Sequence, residues 1–259
     1  MPRFCANLSL MFTELPFLDR FEAAANAGFR GVEYLFPFEF DAADITARLK
    51  AHGLTQVLFN MPPGDWAAGE RGLAALPDRI DEFRAGVGTS VDYAGKLDCS
   101  NVHCMAGIAP AGETVERLRE TYIENLRFAA KALASINAEI LIEPINTRDI
   151  PGYVLTRTQQ ALDIIAAVGE PNVGLQYDCY HMQIMEGDLC PTIERHLECI
   201  AHVQVADTPG RNEPGTGEIN YPFVFAHLDR IGYSGWIGCE YRPRTTTADG
   251  LGWITNYVS

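Results

Sequence analysis

The sequence predicts a single-domain α/β fold, a closed (β/α)8 barrel spanning residues 1–259. Three observations support this prediction: the chain length, the composition, and the alternation of strand-like with helix-like segments. The chain has 259 residues, of which 47% are hydrophobic and 21% charged, as is typical of a globular protein. Eight β–α units in about 250 residues match the usual size of such a barrel.

Eight short apolar segments predict the strands. They are residues 4–12, 31–36, 55–61, 101–106, 139–145, 173–179, 201–206 and 236–241. Their nearly continuous apolar character indicates parallel strands buried on both faces. An open doubly wound sheet is the main alternative. That fold usually has a glycine-rich first turn, whereas here the first strand runs into MFTELPF without a GxGxxG motif.

Amphipathic segments between the strands predict the helices. They cover residues 17–27, 42–52, 77–97, 115–136, 157–168 and 221–231. Strands alternating with helices imply βαβ units and therefore a parallel sheet. Two long loops, residues 62–76 and 207–220, each follow a predicted strand and so belong to the end of the barrel that carries catalytic residues in this fold.

Charge and composition exclude several classes of function. The net charge of −14 argues against nucleic acid as a partner, because phosphate binding needs clustered Lys and Arg. No apolar run approaches the roughly 18 residues of a membrane span, and no signal peptide is recognised. Seven scattered cysteines without CxxC pairing indicate reduced thiols and a cytoplasmic protein. The sequence leaves the oligomeric state open, and a homo-oligomer is compatible with it.

Four polar residues lie at or near the carboxyl ends of the last four predicted strands. They are Glu143 after ILI, Asp178 after VGLQY, Gln204 within AHVQVAD and Glu240 after WIGC. A carboxylate on a core strand is costly unless it is paired, hydrogen-bonded or bound to a metal. Because consecutive strands of a closed barrel surround one patch, these residues predict a shared site.

Three carboxylates and one carboxamide oxygen form a ligand set made of oxygen alone. Such a set favours a divalent metal of the Mg²⁺ or Mn²⁺ type over a softer one. Without a cation, three negative charges would repel strongly in a pocket of low dielectric constant. The alternative for each residue alone is a solvated or salt-bridged side chain, but the occurrence of four on successive strands favours a functional site.

Two residues close in sequence to the predicted metal ligands are predicted to bind substrate. His181 lies three residues after Asp178, and Arg211 lies in the second long loop. The planar guanidinium group of Arg211 suits a substrate carboxylate. The alternatives are a core histidine and a solvated loop arginine. His202 lies two residues before Gln204 and therefore faces the same side of its strand.

Several segments together resemble the hydroxypyruvate isomerase family of the xylose-isomerase-like barrels. They are RFCANLSLMF, FNMPPGDWAAGERG, LIEPIN, YDCYHMQIMEG, PGRNEPGTGEINYPF and GCEYRP, and the similarity extends over residues 3–253. The resemblance implies a (β/α)8 barrel that interconverts hydroxypyruvate and 2-hydroxy-3-oxopropanoate (tartronate semialdehyde). It also implies a divalent metal held by Glu143, Asp178, Gln204 and Glu240, with Glu143 and Glu240 as the paired acid and base.

The residue at position 204 differs from the one found in many members of the wider superfamily. Many relatives carry a second histidine in an HxH pattern, whereas this chain has Gln204 in His202-Val203-Gln204. This departure disfavours a zinc-dependent endonuclease acting at abasic sites, and the acidic net charge points the same way.

The resulting hypothesis is proton transfer on a small hydroxy or oxo acid through an enediolate, with Glu143 and Glu240 as acid and base. A 2-oxo-tetronate isomerase or a ketose epimerase on the same scaffold is the closest alternative. A non-catalytic carbohydrate-binding barrel is an alternative from another class.

Overall fold

The computed structural model describes residues 2–255 and residue 257. Within this part of the chain, eight strands form a closed barrel in which all neighbouring strands are parallel and the spatial order follows the chain order. The strands are β1 (Arg3–Asn7), β2 (Gly31–Tyr34), β3 (Thr55–Asn60), β4 (Asn101–His103), β5 (Glu139–Ile142), β6 (Val173–Asp178), β7 (Ile200–Val205) and β8 (Trp236–Cys239). The predicted (β/α)8 barrel is confirmed.

Helices surround the barrel. They are α1 (Arg20–Asn26), α2 (Ala42–His52), α3 (Ile80–Leu97), α4 (Val115–Ala134), α5 (Thr158–Val168), α6 (Cys179–Met185), α7 (Leu189–Arg195), α8 (Tyr221–Arg230) and α9 (Thr247–Gly250). Short 3₁₀ turns cover Phe17–Asp19, Pro77–Arg79, Leu197–Cys199 and Leu251–Ile254. As far as the chain is described, no helix combines the length and the apolar character needed to cross a bilayer.

The helix α4 shows how the sequence produces these elements. The Thr114 hydroxyl accepts a hydrogen bond from the Arg117 backbone N–H at 3.2 Å and so caps the amino end of the helix. Leu118, Tyr122 and Leu126 recur every four residues and are buried, which places one face of α4 against the barrel. The packing of such faces around the parallel strands encloses the hydrophobic core.

Two details differ from the sequence prediction. Several strands end earlier than expected: the first ends at Asn7 instead of residue 12, and the fourth at His103 instead of residue 106. The apolar residues beyond these ends remain buried, but they belong to the loops at the top of the barrel. The helices α6, α7 and α9 were not predicted, because they have seven, seven and four residues and are too short for a clear helical period; α1 is equally short, but the preceding 3₁₀ turn lengthens its segment.

All seven cysteines are free, and six of them are buried. Cys199 is the exposed one. The thiols expected inside apolar segments therefore lie in the core without forming disulfides.

Candidate active site

The four residues predicted as metal ligands lie at the carboxyl ends of consecutive strands. Glu143 immediately follows β5, Asp178 is the last residue of β6, Gln204 lies in β7 one residue before its end, and Glu240 immediately follows β8. All four are buried. Because the barrel closes in chain order, these strand ends surround one end of its interior.

A compact cluster forms between three of these residues and His181. One potential ligand atom from each of Glu143, Asp178, Glu240 and His181 lies within 4.8 Å of the others. Glu143 Oε1 and Asp178 Oδ2 are buried without a hydrogen-bond partner. Buried carboxylate oxygens without a donor are costly, and they fit the needs of a hard divalent cation.

Gln204 lies beside this cluster and is connected to it by hydrogen bonds. Its Nε2 donates to Glu33 Oε1 at 2.8 Å. Its Oε1 accepts a hydrogen bond of 2.7 Å from Gln176 Nε2, which also donates to Glu143 Oε2 at 3.1 Å. The carboxamide oxygen of Gln204 therefore faces the same amide group as the Glu143 carboxylate.

The Arg211 guanidinium group reaches into the carboxylate cluster. Its Nη2 donates to Glu240 Oε2 at 2.8 Å and lies 3.8 Å from Asp178 Oδ2. Its Nη1 lies 3.7 Å from Asp149 Oδ2. The backbone φ of Arg211 is +53°, in the left-handed region that is unfavourable for residues other than glycine. The loop conformation therefore directs this cation towards the site rather than into solvent.

Burial and mutual repulsion favour protonation of the carboxylates. Burial, followed by the negative charges of Glu240 and Asp178, raises the pKa of Glu143 well above its usual range. Burial raises the pKa of Glu240 to about 8 and that of Asp178 to about 6, although Arg211 lowers both. Carboxyl groups whose pKa values lie near neutrality are suited to exchange protons with a substrate.

The two nearest imidazole groups are held neutral. Burial and the charge of Arg211 lower the pKa of His181 well below its usual range. Burial lowers the pKa of His103 to about 3. His181 Nδ1 lies 2.6 Å from Asn146 Nδ2, while its Nε2 lies 3.7 Å from Glu143 Oε1. Because both Asn146 nitrogens donate to Nδ1, neutral His181 carries its proton on Nε2 and can donate it to a substrate.

Sequence reasoning missed three residues that hold this arrangement. They are Glu33, Asn146 and Gln176. Spacing could have identified Asn146, three residues after Glu143, and Gln176, two residues before Asp178 on the same strand. Glu33 gave a different signal, a charged residue inside the apolar segment GVEYLF.

A cavity of about 100 Å³ opens above the cluster. Its lining includes Trp66 from the first long loop together with Glu143, His181, Arg211 and Glu240. Larger surface depressions of about 580 and 370 Å³ lie elsewhere and are not lined by these residues. We assign the site to the smaller cavity because the buried polar groups converge there.

The fold and this site together define a class of protein, a (β/α)8 barrel with a buried carboxylate–histidine cluster at the carboxyl ends of its strands. The sequence model of the xylose isomerase-like TIM barrel family matches residues 21–257. The chain belongs to the xylose isomerase-like TIM barrel family.

Individual relatives agree with this assignment. The chain is 55% identical to the 2-oxo-tetronate isomerase of Cupriavidus necator, over 100% of this chain and 99% of the relative. It is 50% identical to the hydroxypyruvate isomerase of Escherichia coli, over 99% of this chain and 100% of the relative. The predicted isomerase class is confirmed.

Solved structures show the same architecture. A crystal structure described as an AP endonuclease, family 2, from Brucella melitensis is 52% identical, with a TM-score of 0.98 and full coverage of both chains. A D-psicose 3-epimerase from Clostridium cellulolyticum is 21% identical, with a TM-score of 0.78 over 100% of this chain and 93% of that one. At that identity, the likeness to the epimerase concerns the fold alone.

Proposed function

We propose that this protein is a hydroxypyruvate isomerase, which interconverts hydroxypyruvate and 2-hydroxy-3-oxopropanoate. The observation that carries the proposal is the pair of buried carboxyl groups, Glu143 and Glu240, in one cluster at the mouth of the barrel. The 50% identity with the Escherichia coli enzyme over nearly the whole chain supports the substrate. One domain, residues 1–259, would carry the complete site.

Four residues are proposed to hold Mg²⁺ or Mn²⁺: Glu143, Asp178, Gln204 and Glu240. The donor set supports this, because Glu143 Oε1 and Asp178 Oδ2 have no hydrogen-bond partner. Gln204 Oε1 accepts one hydrogen bond within the described residues, which leaves one lone pair of this oxygen for a ligand. A bound divalent cation polarises a carbonyl oxygen and stabilises the negative charge of an enediolate.

His181 is the alternative fourth ligand by position, since its Nε2 lies in the same cluster, but the hydrogen bonds from Asn146 to Nδ1 favour a proton on Nε2 and so favour Gln204 as the ligand. Mn²⁺ titration of the variants Gln204→Ala and His181→Ala separates the two assignments. We expect the larger loss of Mn²⁺ affinity in Gln204→Ala. A larger loss in His181→Ala would transfer the ligand role to His181.

Glu143 and Glu240 carry the proton transfer in the proposed mechanism. One carboxylate removes a proton from the hydroxymethyl carbon of hydroxypyruvate, a carboxyl group returns a proton to the neighbouring carbon, and the hydroxyl proton passes from the first carbon's oxygen to the second's. The position of both groups in one buried cluster supports this role, because two carboxyl groups beside the same substrate can serve as proton acceptor and proton donor in turn. Arg211 donates to Glu240 Oε2 and thereby orients this group.

Arg211 and His181 are proposed to orient the substrate. Both line the cavity, and Arg211 provides the positive charge that a substrate carboxylate requires. Trp66, from the loop at residues 62–76, lines the cavity and is proposed to help exclude water from the enediolate.

A four-carbon substrate is the second candidate. It is favoured by the 55% identity with the 2-oxo-tetronate isomerase of Cupriavidus necator. The test is a parallel measurement of kcat/KM for hydroxypyruvate, 2-oxo-tetronates and ketoses, with EDTA and with added Mg²⁺ or Mn²⁺. We expect metal-dependent isomerisation with the highest kcat/KM for hydroxypyruvate. A higher value for a 2-oxo-tetronate would reassign the substrate.

Two other functions are disfavoured. The endonuclease named for the Brucella melitensis structure needs a surface for nucleic acid, and a net charge of −14 opposes DNA binding. A non-catalytic carbohydrate-binding barrel has no use for two buried, readily protonated carboxyl groups. Cleavage of abasic DNA at a rate comparable to isomerisation would overturn this choice.

The seven free cysteines support the proposed cytoplasmic location.

A further inference from the structure

The side chain of Glu33 is the centre of a hydrogen-bond network inside the barrel. It projects from β2, and the residue is fully buried. Its Oε2 accepts from His202 Nε2 at 2.7 Å, and its Oε1 accepts from Gln204 Nε2 at 2.8 Å and Asn7 Nδ2 at 3.0 Å. The mechanism proposed above gives Glu33 no contact with the substrate.

The network reaches both carboxyl groups that are proposed to transfer protons. On one side, Asn7 Nδ2 also donates to Glu240 Oε1 at 3.5 Å. On the other side, Gln204 is joined through Gln176 to Glu143 Oε2. One amide, that of Asn7, therefore connects Glu33 to Glu240, and two amides, those of Gln204 and Gln176, connect it to Glu143.

The ionised carboxylate of Glu33 fixes the orientation of the Gln204 and Asn7 amides. An ionised carboxylate can only accept hydrogen bonds, so each amide must turn its NH₂ group towards Glu33. Gln204 Oε1 is then forced to point away from Glu33, towards Gln176 and Glu143. A neutral amide at position 33 would accept either orientation of Gln204, because it can both donate and accept.

We propose that Glu33 is a positioning residue, which fixes the carboxamide oxygen of Gln204 towards the metal-binding cluster and the amide of Asn7 towards Glu240. The inference rests on the proposed function, because it assigns Glu33 a role in the proposed metal site. Glu33 acts through Gln204 and Asn7 and is not itself a catalytic residue.

Gly238 in β8, which is separated from β2 by β1 alone, provides the space that this role requires. A Cβ atom at Gly238 in β8 would lie within 3.0 Å of both carboxylate oxygens and the carboxyl carbon of Glu33. The variant Gly238→Ala would therefore displace the carboxylate without changing its charge. It provides a second perturbation of the same contact.

The test is calorimetric titration of Mn²⁺ into the metal-free wild-type protein and the isosteric variant Glu33→Gln. We expect Glu33→Gln to raise the Kd for Mn²⁺ by about 10- to 100-fold, the usual effect of removing a partner that orients a metal ligand. The matched control is Val57→Ala, which removes volume from the same barrel interior, where Val57 packs with Cys5 and Leu141. The control should keep the wild-type Kd although its Tm falls.

Each outcome decides the question. An unchanged Kd in a folded Glu33→Gln variant would overturn the inference and leave the proposed function intact. An equal rise in Kd in Val57→Ala would also overturn it, because the effect would then be general loosening of the barrel. Failure of the wild-type protein to bind Mn²⁺ would remove the proposed metal site and this inference together. If Glu33→Gln does not fold, the Kd of Gly238→Ala for Mn²⁺ is compared with that of Val57→Ala, and an unchanged Kd again overturns the inference.

Discussion

Binding of Mn²⁺ to the metal-free protein should release protons from the buried carboxyl groups. Carboxylates must be ionised to bind a metal, whereas burial raises the pKa of Glu240 to about 8 and that of Glu143 well above its usual range. Asp178, with a pKa of about 6, is already mostly ionised at pH 7. We therefore expect Mn²⁺ binding to release protons at pH 7, and about one proton fewer at pH 9, where Glu240 is ionised before the metal binds.

The assay is calorimetric titration of Mn²⁺ in two buffers with different ionisation enthalpies, at each of these pH values. The difference in apparent binding enthalpy between the buffers gives the number of protons released. The control variant Glu240→Gln should release about one proton fewer at pH 7 than the wild-type protein. Release of less than about half a proton by the wild-type protein at pH 7 would refute the reasoning, because the carboxylates would then be ionised before metal binding.

Four further predictions concern charge and packing. The metal-free protein should lose stability as the pH rises from about 5 to 8, because folded Glu240 binds more protons than unfolded Glu240 in this window. In thermal melts, the Tm of Glu240→Gln should fall less steeply with pH than the Tm of the wild-type protein. Arg211→Gln should raise the KM for hydroxypyruvate at least tenfold, since a charge-assisted hydrogen bond contributes about 1.5–3 kcal/mol, and an unchanged KM in steady-state kinetics would exclude this role. In urea unfolding, Tyr34→Phe should leave stability unchanged or raise it by about 1 kcal/mol, because the Tyr34 hydroxyl is buried without a partner. Tyr122→Phe removes a hydrogen bond of 2.9 Å to the Cys104 carbonyl and should lower stability by about 1 kcal/mol.

The position of the carboxylates could be predicted because the barrel repeats one local unit. Glu143, Asp178 and Glu240 each end or follow an apolar strand, and the alternation of strands with helices implies that these strand ends meet. The local sequence therefore indicates both the strand and the end of the barrel at which its carboxylate lies. The ends of the strands were predicted less well, since buried residues continue from the strands into the loops.

The contacts inside the barrel could not be predicted in the same way. Glu33 and His202 are 169 residues apart and lie on β2 and β7, so their contact depends on how the closed barrel brings these strands across its interior. The sequence shows only that a charged residue interrupts the apolar segment of β2. The direction of Arg211 also escaped prediction, because the left-handed conformation of its loop turns the guanidinium group towards Glu240.

Incorporation of deuterium from D₂O into the carbon-bound positions of hydroxypyruvate tests the two-carboxylate account most directly. The rate would be measured with saturating Mn²⁺ for the wild-type protein, Glu143→Gln and Glu240→Gln. The account predicts metal-dependent exchange in the wild-type protein and a rate lower by about 10²- to 10⁴-fold in each folded variant. Exchange at more than about a tenth of the wild-type rate in either variant would contradict it.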